Sequence, residues 1–195
     1  FPIPMNCGTN HAIMRFPDPH YIAHDGLSLA TYAAGPETGA DDKPAILLVH
    51  GWPELAYSWK NTIGPLADAG YRVIAYDLRG FGRSSAPMDG PSNGAHHYGI
   101  ANQVSDMEAV MDAYGLKQAI ICGHDWGGII VWHAARMIAH RASKIISICT
   151  PHIRRAPVDP VKIYKKRYGD DHYFVHFNEQ PGVADALFMR DIDGF

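Results

Sequence analysis

The stretch Ile120-Ile121-Cys122-Gly123-His124-Asp125-Trp126-Gly127-Gly128 holds residues whose types and spacing read directly as chemistry. A short apolar run ends in small residues and passes at once into an apolar segment over residues 129–139. A strand that becomes a helix so abruptly holds its middle residue in a strained conformation, and flanking glycines let the two backbones pass closely. That residue is Asp125, a carboxylate presented in a fixed, exposed orientation for nucleophilic attack. Its competing role is a helix N-cap, because aspartate before an apolar helix is a frequent cap. A second segment, His50-Gly51-Trp52-Pro53-Glu54, directly follows another apolar run. As exit loops of neighbouring parallel strands, the two segments would meet at the sheet edge where open α/β sheets place their sites. The backbone N–H groups of Trp52 and Trp126 would there cradle an oxygen that turns negative in a tetrahedral intermediate. Pro53 lacks an N–H and restricts Trp52, which holds that loop in one shape. The Trp52 and Trp126 side chains either line a pocket or pack in the core. His50 and His124 read as hydrogen-bonders that fix the turns, not as proton carriers.

These groups need strands and helices to position them, and the hydrophobic pattern supplies both. Residues 21–23 and 27–32 read as a hairpin turning at His24-Asp25-Gly26. The apolar runs at 45–49, 72–76, 119–122 and 144–149 read as further strands, and 45–49 has the continuous character of one buried on both faces. Residues 56–69 predict a helix ended by Gly70. Ile100, Val104, Met107, Met111 and Tyr114 recur at helical spacing and predict an amphipathic helix over 98–114, ended by Gly115. This alternation predicts an α/β fold with a mostly parallel sheet, helices on both faces and the hairpin as an antiparallel edge. Residues 1–19 read as a surface arm and 35–43 as a polar loop. Composition changes at Thr150-Pro151, after which prolines, basic residues and aromatics such as Tyr164, Tyr168, Tyr173, Phe174, Phe177 and Phe188 accumulate. The expected organisation is a core over residues 1–150 and the beginning of a helical cap, or lid, over 151–195.

The 195 residues suffice for one domain with a sizeable core, and 47 % hydrophobic with 19 % charged residues is ordinary for a globular protein. A net charge of −3 gives no electrostatic reason to expect nucleic acid or an anionic membrane as partner. No apolar run is long enough to span a bilayer. Cys7, Cys122 and Cys149 show no CxxC spacing, and the last two fall in apolar runs, as small buried hydrophobes do. A reducing, cytoplasmic location is the simplest expectation; the start at Phe1 leaves secretion after removal of a leader open. The 12 histidines are scattered and give no metal-binding spacing.

The segments His50-Gly51-Trp52-Pro53-Glu54, Asp77-Leu78-Arg79-Gly80-Phe81-Gly82-Arg83-Ser84-Ser85-Ala86-Pro87 and Gly123-His124-Asp125-Trp126-Gly127-Gly128 together resemble the soluble epoxide hydrolases of the α/β-hydrolase superfamily. Residues 171–184 are similar to the family segment that carries one of two lid tyrosines, with Gln180 as an extra residue before Pro181-Gly182. The resemblance implies an α/β-hydrolase fold in which Asp125 opens an epoxide through an alkyl-enzyme ester. It implies Tyr173 as the acid on the leaving oxygen, the Trp52 and Trp126 amides as oxyanion donors, and a pocket of Trp52, Pro53, Trp126 and Phe177. The partner it implies is a small, apolar epoxide, with no cofactor, no metal, no nucleic acid and no membrane; a homodimer is compatible with it. The family's base histidine, its acid and the second tyrosine are expected beyond Phe195, so the sequence reads as part of a longer chain. His152 has no orienting carboxylate in its local context and does not read as a substitute base. The sheet is accordingly expected to leave an unpaired edge and an exposed apolar face.

Two other classes compete. A haloalkane dehalogenase uses the same fold and an aspartate followed by tryptophan, but would leave Tyr173 idle. One dehalogenase branch carries an acid where this chain has Cys149-Thr150-Pro151. A non-catalytic binding protein on a hydrolase fold is the other, supported only by the missing base and acid. No serine stands at the elbow, which excludes a serine esterase. On the epoxide reading, the 195-residue segment alone is expected to be alkylated at Asp125 without releasing diol. Steady multiple-turnover hydrolysis by that segment would contradict this.

Overall fold

All five residues of Ala45–Val49 (β3) are buried, and alternate side chains enter different cores. Leu47 and Val49 pack on one side of the sheet, Ile46 and Leu48 on the other, which is why this strand reads as a continuous apolar run. The computed structural model describes residues 16–37, 43–89, 94–152, 154 and 157–192. Most of the expected arm, most of the 35–43 loop and Cys7 lie outside those residues.

Among the described residues, His20–His24 (β1), Leu27–Ala34 (β2), β3, Val73–Tyr76 (β4), Ala119–His124 (β5) and Ala142–Ile148 (β6) form one sheet in the order β1-β2-β4-β3-β5-β6. β1 and β2 are antiparallel, as is β2 against β4; the pairs β3–β4, β3–β5 and β5–β6 are parallel. The hairpin is thus the antiparallel edge that the sequence predicts, turning on Asp25 and Gly26 at φ 50° and 75°. Val49 pairs with Gly123 and His124 with Ile148, so the loops after β3, β5 and β6 leave one edge side by side.

Helices cover both faces. Ile100–Ala113 (α2) and Trp126–Met137 (α3) bring Val104, Met107, Met111, Ile130, Val131 and Ala134 against Leu47, Ile74, Tyr76 and Ile121. On the other face, Ile63 and Ala67 of Lys60–Asp68 (α1) meet Ile46, Leu48, Val73 and Ala75. Fully burying an aliphatic side chain of this kind contributes roughly 1.5–3 kcal/mol, so these two layers hold the sheet edge in place. The helix expected over 56–69 begins with a tight 3-10 turn, Ala56–Trp59, before α1. Its first amide is taken by Asp77, whose Oδ1 accepts from the Ala56 N–H at 2.8 Å. Gly70, at φ 88°, ends α1 as expected.

One expectation fails at the sheet edge. β6 stops at Ile148, and Cys149 is exposed at φ 62°, not a buried strand residue. The chain must turn there to bring Thr150 back over the neighbouring strand's exit. Cys122 is buried as expected, which pushes its thiol pKa up. Ile146 and Ile148 of β6, the sheet's last strand, are 46 % and 39 % exposed, the apolar face expected of an uncovered edge.

Residues Phe1–His152 and Ile153–Phe195 form two compact units. The second contains Pro160–Tyr168 (α4), Tyr173–Glu179 (α5) and Val183–Phe188 (α6), and no strand among its described residues. Pro160 opens α4, where a missing N–H costs nothing, and Asp159 Oδ1 caps it by accepting from the Val161 N–H. Among the described residues no helix is long and apolar enough to cross a membrane.

A buried ion pair ties the loop after β4 to α2. Arg79 Nε and Nη2 donate to the two carboxylate oxygens of Asp106, both at 2.6 Å, and the side chains are 1 % and 0 % exposed. The His97 and Asn102 carbonyls take two more guanidinium protons at 2.6 and 3.3 Å. Removing one member of such a pair strands the other in low dielectric, so Asp106→Ala is expected to cost about 3–5 kcal/mol of unfolding free energy. Urea denaturation measures this, and a loss under about 1 kcal/mol, that of a surface pair, would show that the pair carries no such role.

Candidate active site

A single residue, Asp125, separates β5 from α3. Its backbone sits at φ 52°, ψ −117°, a conformation that costs an L-residue on the order of 1–3 kcal/mol and persists only where the surroundings impose it. The glycines around it are required by contact, not by their own dihedral angles. A Cβ on Gly127 would collide with the Val49 and His50 carbonyl oxygens, and one on Gly123 with the Gly127 carbonyl. A Cβ on Gly51 would meet Asp125 Cβ at 2.5 Å and Oδ1 at 2.8 Å. The elbow and the loop after β3 are therefore packed backbone against backbone.

The Asp125 side chain makes no capping bond to its own helix. Its Oδ1 instead accepts from the Trp52 N–H at 2.9 Å. The carboxylate thus points at the neighbouring loop, where the cap alternative would have turned it back onto α3. The positive end of the α3 dipole lies beneath it and favours the anion. Trp126, the first residue of α3, is not a donor to this carboxylate in the structure; Trp52 is. Trp52 and Trp126 are 40 % and 46 % exposed, so their side chains do not pack in the core. Pro53 follows Trp52 through a cis peptide bond and is exposed.

Side-chain bridges fasten the loop to its neighbours. Glu54 Oε2 accepts from the Gly51 N–H and pairs with His124 Nδ1, both at 3.0 Å, linking the loop after β3 to the residue before Asp125. His50 Nδ1 donates to the Gly51 carbonyl at 2.8 Å, and its Nε2 accepts from the Leu78 N–H at 3.0 Å. Both histidines are the structural hydrogen-bonders expected. Beneath them Asp77, 2 % exposed, accepts from the Tyr32 hydroxyl and from the Ala56 and Arg83 amides. The Asp77 charge adds to burial in holding the Tyr32 phenol well above its ordinary pKa. Gly82 has no Cβ because one would strike the Asp77 carboxylate.

Two residues had no signal in local sequence. In the sequence Asp77 is one residue of a glycine-rich loop, although it anchors three segments. Thr150 was read as a change of composition, yet its hydroxyl donates to the Asp125 carbonyl at 2.9 Å. The signal available for Thr150 was its place directly after the strand neighbouring the elbow. His152 packs its ring against Trp132 at 5.4 Å and has no contact with Asp125 that would let it serve as a base.

Tyr173 and Phe177 belong to the second unit, one turn apart on α5, with rings 5.9 Å apart. Tyr173 is 57 % exposed and starts the helix behind His172, whose Nδ1 accepts from the Phe174 N–H. A cavity of about 590 Å³ is lined by Phe16, Tyr32, Tyr57, Lys60 and Arg83 among others, and none of Asp125, Trp52, Pro53 and Trp126 borders it. Among the described residues no group of histidine, cysteine and acidic side chains is arranged to hold a metal.

A mostly parallel sheet with a strained aspartate at a strand–helix joint and a backbone donor from the neighbouring exit loop defines a hydrolase-type elbow. Residues 44–180 match the alpha/beta hydrolase fold family, and the chain belongs to it. Epoxide hydrolase A of Mycobacterium tuberculosis is 37 % identical over 178 residues, which cover 91 % of this chain and 52 % of that protein. Epoxide hydrolase 2 of Siraitia grosvenorii is 40 % identical over 146 residues, 74 % of this chain and 44 % of that one. The crystal structure of an epoxide hydrolase from Vigna radiata is similar with a TM-score of 0.80 at 32 % identity, over 90 % of this chain and 54 % of that one. The chain spans about half the length of the curated relatives it matches.

Burial lowers the His50 pKa from its ordinary 6.5, outweighing the Gly51 carbonyl and the Asp77 and Glu54 charges that push it up. The folded protein therefore holds His50 neutral. This contribution to stability is present above pH 6.5 and lost as pH falls below it, where the unfolded chain takes the proton first. His50→Asn keeps a donor for Gly51 but leaves the Leu78 N–H unpaired, a loss of about 1–3 kcal/mol at pH 7. Unfolding free energies at pH 7 and 5 should fall less steeply in the variant than in the parent; equal slopes would remove His50 as a source of acid sensitivity.

Proposed function

We propose that the protein hydrolyses an apolar epoxide to a vicinal diol, with Asp125 as nucleophile. The observation that carries this is the Asp125 carboxylate, turned from its helix and held through Oδ1 by the Trp52 amide at 2.9 Å. Oδ2 is the oxygen left to attack. It forms a C–O bond to an epoxide carbon as the ring C–O bond breaks, and the ring oxygen takes a proton from the Tyr173 hydroxyl. The product is an ester whose carbonyl oxygen is Oδ1, already within reach of the Trp52 N–H; the Trp126 amide, at the start of α3, adds a second donor as the ester carbonyl rotates. Water activated by a histidine outside this sequence then attacks the ester carbonyl carbon. The acyl C–Oδ2 bond breaks, so the water oxygen stays in the Asp125 carboxylate and Oδ2 leaves in the diol; one of the two water protons completes the diol hydroxyl and the other returns to the Tyr173 phenolate.

The epoxide hydrolases among its relatives support this reading. The exposed indoles of Trp52 and Trp126, with Pro53, offer an apolar substrate a wall beside Asp125, and within the second unit Phe177 stands one turn from Tyr173. No cofactor enters any step.

Acid quenching during reaction with an aryl epoxide, followed by digestion and mass spectrometry, tests the reading. One epoxide mass is expected on the Asp125 peptide, absent in Asp125→Ala and formed more slowly, by tenfold or more, in Tyr173→Phe, given that a general acid contributes roughly 10²–10⁴-fold and a second tyrosine shares the work. An adduct on another residue, or none, would overturn it; halide release from a haloalkane without epoxide opening would replace it with the dehalogenase reading.

A further inference from the structure

The strained peptide of Asp125 is not held by its own loop. β6 ends at Ile148, Cys149 turns at φ 62°, and the chain doubles back so that Thr150 lies over the elbow. Both backbone polar groups of Asp125 are engaged here: its N–H donates to the carbonyl of Ile148, the last residue of β6, at 3.3 Å, and its carbonyl accepts from Thr150 Oγ1, in the turn, at 2.9 Å. The only helical bond that reaches Asp125 is the 3.2 Å one from the Ile129 N–H to the same carbonyl. Thr150 is itself fixed from two sides. Its carbonyl accepts from Ser147 Oγ at 2.6 Å and from the indole N–H of Trp132, on α3, at 2.9 Å. Gly128 makes room for the assembly, since a Cβ there would stand 2.7 Å from Thr150 Cβ, 2.9 Å from its Oγ1 and 2.8 Å from Ser147 Oγ.

We propose that Thr150 is a positioning residue for the nucleophile: its hydroxyl sets the plane of the Asp125–Trp126 peptide, and through it the aim of the carboxylate. The inference rests on the reading of Asp125 as a nucleophile. The Thr150 hydroxyl bonds the Asp125 carbonyl and not the carboxylate, which Trp52 holds, so its effect runs through the backbone. A residue at φ 52°, ψ −117° relaxes when its ties are cut, because nothing in its own dihedral preferences keeps it there. Reaction by displacement is sensitive to such a change, a misplacement of 1 Å costing roughly 10²-fold in rate. The carbonyl of Asp125 is also the acceptor for the first turn of α3, so the same hydroxyl couples the helix start to the elbow.

The test is the rate of Asp125 alkylation in the full-length protein, followed by quenched mass spectrometry over a range of aryl epoxide concentrations. Thr150→Val keeps the shape and removes the hydroxyl. It is expected to lower the rate constant at saturation by about ten- to a hundredfold while leaving the half-saturating concentration unchanged, since binding does not use Thr150. Thr150→Ser restores the donor and should recover most of the rate. Gly128→Ala provides an independent route, because its methyl pushes Thr150 off its bond although alanine favours a helix over glycine by about 1 kcal/mol. It should slow alkylation while far-UV circular dichroism shows the helix intact, and it decides the matter where Thr150→Val does not fold. Wild-type protein that forms no Asp125 adduct removes the nucleophile and this inference together. Wild type, Thr150→Val and Gly128→Ala alkylated at one rate, or Thr150→Ser as slow as Thr150→Val, removes this inference alone and leaves the nucleophile standing.

Discussion

One backbone constraint organises this structure: a strand and a helix joined by a single residue, Asp125, at φ 52°. Such a joint requires the strand end, the helix start and the next loop to approach at backbone distance. Gly51, Gly123 and Gly127 meet that requirement by having no Cβ, and each faces an atom that a side chain would strike. The strain is local, but what holds it is not. The Asp125 amide is tied to the end of β6, its carbonyl to the turn that follows, and its carboxylate to the loop after β3. Three neighbouring strand exits therefore fix one side chain, and that is possible because β3, β5 and β6 are adjacent and parallel.

Two buried charged groups stand behind this edge. Asp77, at the end of β4, accepts from Tyr32, Ala56 and Arg83, and Arg79 reaches Asp106 on α2. Asp77 accepts from three donors and Arg79 is matched by the Asp106 carboxylate, which is the condition for keeping charge in low dielectric. His50 extends the same system by bridging the Leu78 amide to the Gly51 carbonyl in its neutral form. The loop that carries the Trp52 amide is consequently anchored at His50, Gly51 and Glu54 before it reaches Asp125. A donor held in advance loses nothing to reorganisation when charge develops.

Much of the fold was legible because burial on two faces writes itself as continuous apolar runs, as in β3, and burial on one face as helical spacing, as at Val104, Met107 and Met111. The elbow was legible for a different reason: close backbone approach admits little besides glycine, so sterics left a mark in the sequence. What the sequence hid depends on partners far along the chain. Cys149 continues an apolar run and so reads as strand, but its turn serves a bond between Thr150 and Asp125, 25 positions apart. The helix expected from Ala56 does begin there, but as a 3-10 turn, and the group that caps it, Asp77, lies 21 positions on. The choice between N-cap and nucleophile for Asp125 could not be made locally, since both place an acidic residue before an apolar helix. The structure bears on the cap alone: the carboxylate makes no capping bond and finds its donor at Trp52, 73 positions away.

That placement also bears on the two carboxylate oxygens, which the structure makes unequal. Oδ1 is hydrogen-bonded to a fixed amide, while no donor from the described residues reaches Oδ2. A hydrogen bond draws charge from the oxygen that accepts it, so the proposed attack falls to Oδ2 without any further selection. Once Oδ2 carries the alkyl group, Oδ1 becomes the carbonyl oxygen of the ester, and the Trp52 N–H that had steadied an anion polarises the carbonyl for water. The same donor thus serves both halves of the proposed cycle, with no movement of the loop between them. This holds only while the elbow keeps its angle to the loop, and Glu54 and Thr150 brace the elbow from opposite sides: one ties His124 to the loop after β3, the other ties the Asp125 carbonyl to the turn after β6.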